Sequence, residues 1–221
     1  MSIKSSLKQE KKLWKLGHQF VIGLDEAGRG ALAGPVFAAA VFLKFPFLRG
    51  YSSILRIMNL KVGQIRDSKK LTKDKREKIF KIIKSSPFIE YRASGVSERV
   101  IDKINIKNAS ELAMQRCVQK LKIETPFLII DGRHINSKRL KRYPHKLIVK
   151  ADEKIFSCAL ASVIAKVLRD RAMQKLAKTF PRYYFEKNKG YPTKKHLYFL
   201  KKYGPCRVHR KSFLPVKNFN R

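Results

Sequence analysis

Acidic residues are scarce in this chain, 16 against 51 lysines and arginines, and where they fall is informative. Asp25 follows the apolar run at residues 20–24, Asp131 follows 127–130, and Asp152 comes shortly after 146–149. Each run is too short to be a helix on its own and reads as a strand. Three carboxylates therefore stand near the C-terminal ends of three predicted strands. If those strands are parallel neighbours, their ends lie about 4.8 Å apart per strand, near enough for the carboxylates to share cations; antiparallel pairing would scatter them. Carboxylates packed together repel and raise at least one pKa unless a hard cation such as Mg²⁺ or Mn²⁺ lies among their oxygens. A divalent metal site is implied. Taken singly, each acid reads equally well as a strand-end turn residue or the partner of a lysine; the trio carries the argument.

Glu26 adds a fourth carboxylate. Successive strand residues point to opposite faces, so Asp25 and Glu26 cannot both aim inward from a regular strand, and the chain is expected to turn at Glu26. The following run, Ala27-Gly28-Arg29-Gly30-Ala31-Leu32-Ala33-Gly34-Pro35, supplies small residues whose backbone N–H groups can approach a phosphate or a sugar hydroxyl, with Arg29 as a forked donor.

The elements that must position these residues follow from periodicity. Residues 36–43 form a second, nearly all-apolar strand. Thr72 reads as the N-cap of a helix over 73–84 with an apolar face at Ile79, Phe80, Ile82 and Ile83. Residues 88–96 alternate like a half-exposed strand, and 109–121 have helical spacing. The alanine-rich stretch 156–178 predicts a long helix laid on the sheet. Thr193 caps a last helix over 194–203, stopped by Gly204 and Pro205. This order predicts an α/β fold with helices packed on a mixed sheet.

At this point the motifs resemble those of the ribonuclease HII (type 2 ribonuclease H) family. The run VIGLDEAGRGALAGPVFAAAV at 21–41 is similar to the family's opening signature. DSKKLT at 67–72, IIDGR at 129–133, KADEK at 150–154, ASVIAKVLRDR at 161–171, KNKGYPTKKH at 187–196 and GPCRVHRKSF at 204–213 follow in the family's order. The chain departs from the family's usual residues at Ala31, Ala151 and Leu160, and in the stretch containing Tyr184 and Asn188; none of the first three removes a chemical group.

The resemblance implies a ribonuclease H-like fold, with a mixed five-stranded sheet flanked by helices and a C-terminal helical substrate-binding segment. It implies metal-site carboxylates at Asp25, Glu26, Asp131 and Asp152, which hold two divalent ions, Mn or Mg. In the mechanism it suggests, Asp25 bridges both ions, Glu26 and Asp131 support one, and Asp152 holds the other. The Gly28-Arg29-Gly30 element is expected to inspect the ribose 2′-hydroxyl, the handle that separates RNA from DNA, and Tyr191 to pack at the junction sugar. Lys69, Lys70, Arg169, Lys187, Lys189, His209 and Arg210 lie in matched basic blocks and are expected to contact backbone phosphates. For each basic residue a solvated surface charge is the competing reading, and for Tyr191 a core aromatic. The implied activity is hydrolysis of the RNA strand of RNA·DNA hybrids and cutting 5′ of single ribonucleotides in duplex DNA, leaving a 3′-hydroxyl and a 5′-phosphate.

A net charge of +35 over 221 residues points independently to a polyanionic partner. No apolar run approaches the roughly 20 residues needed to span a bilayer, and residues 1–17 lack the continuous apolar core of a secretory signal, so a cytoplasmic protein without membrane association is expected, as a monomer. Cys117, Cys158 and Cys206 are odd in number and widely spaced, which suggests free thiols rather than zinc. The chain divides by expectation into a basic N-terminal arm (1–17), a catalytic domain (18–178) and a C-terminal helical, basic segment (179–221). Two other readings compete. A non-catalytic basic RNA-binding protein would account for the charge but not the four placed carboxylates. Another nuclease of the same fold, such as a junction resolvase, would share the acids without needing Gly28-Arg29-Gly30 or Tyr191; a type 3 ribonuclease H would carry a platform domain ahead of the acidic pair.

Overall fold

A computed structural model describes residues 5–44 and 71–220. Five strands, β1 (Val21–Ala27), β2 (Val36–Leu43), β3 (Ile89–Val96), β4 (Phe127–Asp131) and β5 (His145–Ile148), form one sheet in the order β3-β2-β1-β4-β5. β2 pairs antiparallel with both β1 and β3, whereas β1, β4 and β5 are parallel. Of the two pairings the sequence left open for the acid-bearing strands, the parallel one is present.

Period-two alternation sorts the central strand between two cores. Val21 faces one apolar cluster with α6 (Phe156–Thr179), and Ile22 and Leu24 face the other with α3 (Glu98–Leu121). The first half of α6 is buried nearly all round, as a helix pressed into the middle of a sheet must be. Gly23 permits that approach: a Cβ there would lie 2.5 Å from the backbone nitrogen of Cys158.

Helix α2 (Lys73–Ser85) begins at Thr72, whose side chain accepts from the Lys75 amide, and α8 (Lys194–Tyr203) begins at Thr193, whose side chain accepts from His196. Both caps match expectation. Helix α3 is longer than the predicted 109–121. A break at Asn105 (φ 63°, ψ 166°) divides it, and the Asn105 side chain accepts from the Asn108 amide to start the second half. The irregular periodicity ahead of that break hid the first half from the sequence reading.

The N-terminal segment, expected as a basic arm, holds helix α1 (Lys8–Lys15) docked on the body through Leu7, Leu13 and Trp14. Its Glu10 is fully buried and accepts from the Ser157 amide at 3.0 Å and hydroxyl at 2.9 Å. The N-cap position of α6, Ile155, has no capping side chain of its own, so Glu10 satisfies that helix N-terminus from a distance. Burial raises the Glu10 pKa, and the Ser157 contacts partly oppose the rise.

Among the described residues no helix is long and apolar enough to cross a membrane. Cys117 and Cys158 are buried free thiols and Cys206 is half-buried and free.

Candidate active site

The carboxylates converge because of strand register. Leu24 pairs with Ile130 at the end of the β1–β4 ladder, and Asp131 pairs with Ile148 at the end of β5. Continuing each parallel ladder by one residue sets Asp25 beside Asp131. Asp152 lies in the short helix α5 (Ala151–Lys154), entered through Lys150 in the left-handed region (φ 57°). The Ala151 amide donates to Asp131 Oδ1 at 2.9 Å, tying α5 to the end of β4.

Glu26 reaches the site differently from expectation. The chain does not turn there: β1 stays paired with β2 through Ala27, opposite Phe37. Asp25 falls on the α6 side of the sheet, where it is hydrogen-bonded to Ser162, and Glu26 falls toward α3, near Ser110, Glu111 and Met114. Both still open onto one cleft, since the β1–β4 ladder ends one residue before them and leaves that edge of the strand uncovered.

The cleft, about 490 Å³, is lined by Asp25, Glu26, the 28–30 loop, Asp131, Ser162 and Tyr191, with the cations Arg29, Arg76 and Lys166. Asp25 is only 5% exposed, and its pKa is driven well above the ordinary carboxylate range, first by burial and then by the charge of Glu26; Asp131 and Asp152 push the same way, and the Ser162 hydrogen bond opposes them. The other three acids thus act on Asp25 electrostatically. Among the described residues they are not drawn into a preformed ligand cage, so joint ligation requires side-chain rotation. An all-carboxylate donor set with charge in excess fits a hard divalent cation and not a soft one.

Two buried arginines hold the glycine loop. The Arg210 guanidinium donates to the carbonyls of Gly28 (2.7 Å), Arg29 (2.8 Å) and Gly34 (3.0 Å), and Arg169 donates to Pro35 O (3.1 Å) and Lys189 O (2.9 Å). Because N–H and C=O oppose each other across a trans peptide, carbonyls of Gly28 and Arg29 turned inward to Arg210 send the Arg29 and Gly30 amides the other way. Gly28 has φ +99°, and a Cβ there would sit 1.9 Å from Arg169 Nε. Gly30 needs no such freedom: its φ is ordinary and a Cβ would meet nothing within 4 Å, so of the two glycines only Gly28 is required by the backbone. Burial lowers the pKa of both guanidiniums, that of Arg210 to about 9, without neutralising it at physiological pH.

Tyr191 lines the cleft instead of the core, with the Arg169 guanidinium 4.9 Å from its ring centroid and Lys166 Nζ at 5.7 Å. Arg29 is half-exposed and bonds Glu26 Oε1 at 3.0 Å. Three expected phosphate contacts are corrected: Arg169, His209 and Arg210 are 0%, 1% and 0% exposed, and their polar groups serve protein backbone and a neighbouring imidazole, so they shape the site from behind. Lys187 is exposed, and Lys189 is half-buried with Nζ on Glu186 O at 2.6 Å. Lys69 and Lys70 lie outside the described residues.

The sequence reading missed Ser162, Lys166 and Arg76. Ser162, Lys166 and Asp170 recur every fourth residue and so share one face of α6; Lys166 Nζ is 2.6 Å from Asp170 Oδ1. The Arg76 guanidinium bonds the Leu71 carbonyl and Asp170 Oδ2. That four-residue polar period inside an alanine-rich helix was the available signal.

Sheet order, parallel acid-bearing strands and the carboxylate cleft define a ribonuclease H-like nuclease. The family model described as Ribonuclease HII matches residues 22–216. A ribonuclease HII of Caldicellulosiruptor bescii is 47% identical over 208 residues, covering 93% of this chain and 91% of that protein, and one of Pelagibacter ubique is 42% identical, covering 90% and 98%. Among solved structures, the ribonuclease H2 of Pyrococcus horikoshii shares the fold with a TM-score of 0.69 at 24% identity, covering 90% of this chain and 96% of that one. The RNase HII in a PCNA:RNase HII complex from Archaeoglobus fulgidus matches with a TM-score of 0.69 at 25% identity, over 91% and 97%. The chain belongs to the ribonuclease HII family. It is a metal-dependent endoribonuclease of the ribonuclease H type.

Proposed function

We propose that this enzyme hydrolyses the RNA strand of RNA·DNA hybrids and cuts 5′ of single ribonucleotides embedded in duplex DNA, leaving a 3′-hydroxyl and a 5′-phosphate. The observation that carries this reading is one cleft lined by Asp25, Glu26, Asp131, the 28–30 loop and Tyr191, with Asp152 close enough to raise the Asp25 pKa. Asp25, Glu26, Asp131 and Asp152 would hold two divalent ions, Mg²⁺ or Mn²⁺. Bound there, such ions supply an acidified water and charge stabilisation at the scissile phosphate.

The chain's own groups do the rest. Arg29 and Gly30 amides, held outward by Arg210, meet the 2′-hydroxyl, which DNA lacks. Tyr191, braced on Arg169, presents an aromatic wall to the sugar of the next nucleotide. Lys166 and Arg76, pinned by Asp170, neutralise non-bridging phosphate oxygens at the cleft edge. The exposed Lys187 adds to a positive surface that aligns the duplex without reading its sequence.

The decisive experiment uses a DNA duplex carrying one ribonucleotide, with Mg²⁺ or Mn²⁺ and then with EDTA. Cutting is expected only at the 5′ side of the ribonucleotide and is lost with EDTA. Equal cutting of an all-DNA junction would instead identify a resolvase, and binding without cutting under any divalent ion would leave only a basic nucleic-acid-binding role. Lys166→Met is expected to lower turnover by about 10- to 100-fold with little change in the melting temperature, measured under single-turnover conditions. Unaltered turnover would remove Lys166 from the phosphate site.

A further inference from the structure

Behind Tyr191 lies a buried pair of histidines that the chemistry above does not use. His196, in α8, and His209, in the C-terminal segment, are 0% and 1% exposed, and their Nε2 atoms face each other at 3.1 Å. The hydrogen bonds at the two far ends determine the protons between them. The Cys206 amide donates to His209 Nδ1 at 3.0 Å, so that nitrogen is an acceptor and the proton of a neutral ring sits on Nε2. His209 Nε2–H then donates to His196 Nε2, which leaves the His196 proton on Nδ1. His196 Nδ1 lies 2.9 Å from the Tyr191 carbonyl and donates to it. Every polar atom in the chain from the Cys206 amide to the Tyr191 carbonyl is matched by this one tautomer assignment, and by no assignment with an extra proton, since two N–H groups would then meet either at the 3.1 Å contact or at the Cys206 amide.

We propose that His196 and His209 form a neutral imidazole relay that positions Tyr191, making them specificity-determining positioning residues for the reaction. The surroundings keep the relay neutral. Phe185 packs on both rings, with centroids 5.4 Å and 5.7 Å away, and Tyr183 packs on His209 at 4.8 Å. Among the described residues, the titratable groups in ring or hydrogen-bond contact with the pair are Tyr183 and Cys206, the latter with Sγ 3.2 Å from His209 Nδ1; both pKa values are raised, chiefly by burial, so both are neutral at physiological pH. Burial lowers the pKa of both histidines, and with the repulsion from His196 that of His209 falls to about 4. Tyr191 is then held from two directions. Its carbonyl accepts from His196 and from the Thr193 amide at 2.8 Å, and its ring rests on Arg169.

This inference rests on the reading of Tyr191 as the wall that meets the junction sugar, and the test separates the two. The readout is the ratio of cutting rates at a single embedded ribonucleotide and inside a continuous RNA·DNA hybrid, with Mg²⁺, for the full chain. Tyr191→Ala and His196→Leu are both expected to lower that ratio by about 10-fold or more. His196→Asn, whose side-chain amide can still donate from near the Nδ1 position, is expected to keep it within about threefold of the wild type. If Tyr191→Ala lowers the ratio and His196→Leu lowers both rates equally, His196 is merely structural and the relay is overturned. If Tyr191→Ala leaves the ratio unchanged, the substrate reading of Tyr191 fails. Imidazole nitrogen NMR of the wild-type protein tests the relay apart from activity and from variant folding. The expected spectrum has His196 protonated on Nδ1, His209 on Nε2, and both neutral at pH 6; an Nε2-protonated His196, or either ring titrating near 6.5, overturns the proposal.

Discussion

Asp25→Asn is expected to lower turnover by at least about 10³-fold and, in the presence of EDTA, to raise the melting temperature. The two effects share one cause. Asp25 is buried among Glu26, Asp131 and Asp152, which raises its pKa in the folded state. In the unfolded chain the carboxyl ionises near its ordinary value of 3.8. Below that pH both states carry the proton and the group contributes nothing. As pH rises past it, the unfolded state ionises first, and folding is disfavoured by about 1.4 kcal/mol per pH unit until the folded-state pKa is reached. Asparagine never ionises, so its stabilising effect is small at pH 4 and larger at pH 8. For a domain of this size each kcal/mol amounts to about 2–4 °C. A proton and a divalent cation also compete for the same oxygens, so the rise in melting temperature on adding Mn²⁺ to the wild type should grow from pH 5 to pH 8. Thermal melts with and without EDTA measure both trends. Normal cutting by Asp25→Asn would remove Asp25 from the site, and an unshifted melt at pH 8 would refute the mutual repulsion of the carboxylates.

The second large effect separates two glycines that look alike in sequence. Gly28→Ala puts a methyl 1.9 Å from Arg169 Nε in a backbone with φ +99°. Arg169 cannot swing aside at little cost, because it is fully buried and bonded to the carbonyls of Pro35 and Lys189. The expected loss is about 3 kcal/mol of stability, together with about 10²-fold in activity from the displaced loop. Gly30→Ala meets nothing within 4 Å and has no positive φ to strain, so its melting temperature should stay within about 2 °C of the wild type. Any activity it loses then reports on substrate approach to the cleft wall. Equal melting temperatures for the two variants would contradict the Arg169 contact.

The sequence alone was sufficient to single out the acids at the strand ends and to order the five strands. Strand length, the acids following apolar runs and the caps Thr72 and Thr193 are local properties, written in side-chain period and turn chemistry, and the resemblance covered the chain from the first acidic pair to the C-terminal basic block. What tertiary structure decided was direction and depth. Asp25 and Glu26 face apart because β1 stays paired with β2 through Ala27, and both open onto one cleft because the β1–β4 ladder ends before them, a property of strands far off in the chain. Arg169, His209 and Arg210 read as phosphate contacts because their charge is visible in a sequence and their burial is not; only packing turns the two arginines inward to backbone carbonyls and His209 to His196. Lys166 and Arg76 went unnoticed for the converse reason, since two lone cations among 51 basic residues acquire meaning only when α6 and α2 bring them to the edge of a carboxylate cleft. Local sequence specifies which groups exist and how each segment bends, whereas charge acts through space, and the distances that set its strength come from contacts between segments far apart in the chain.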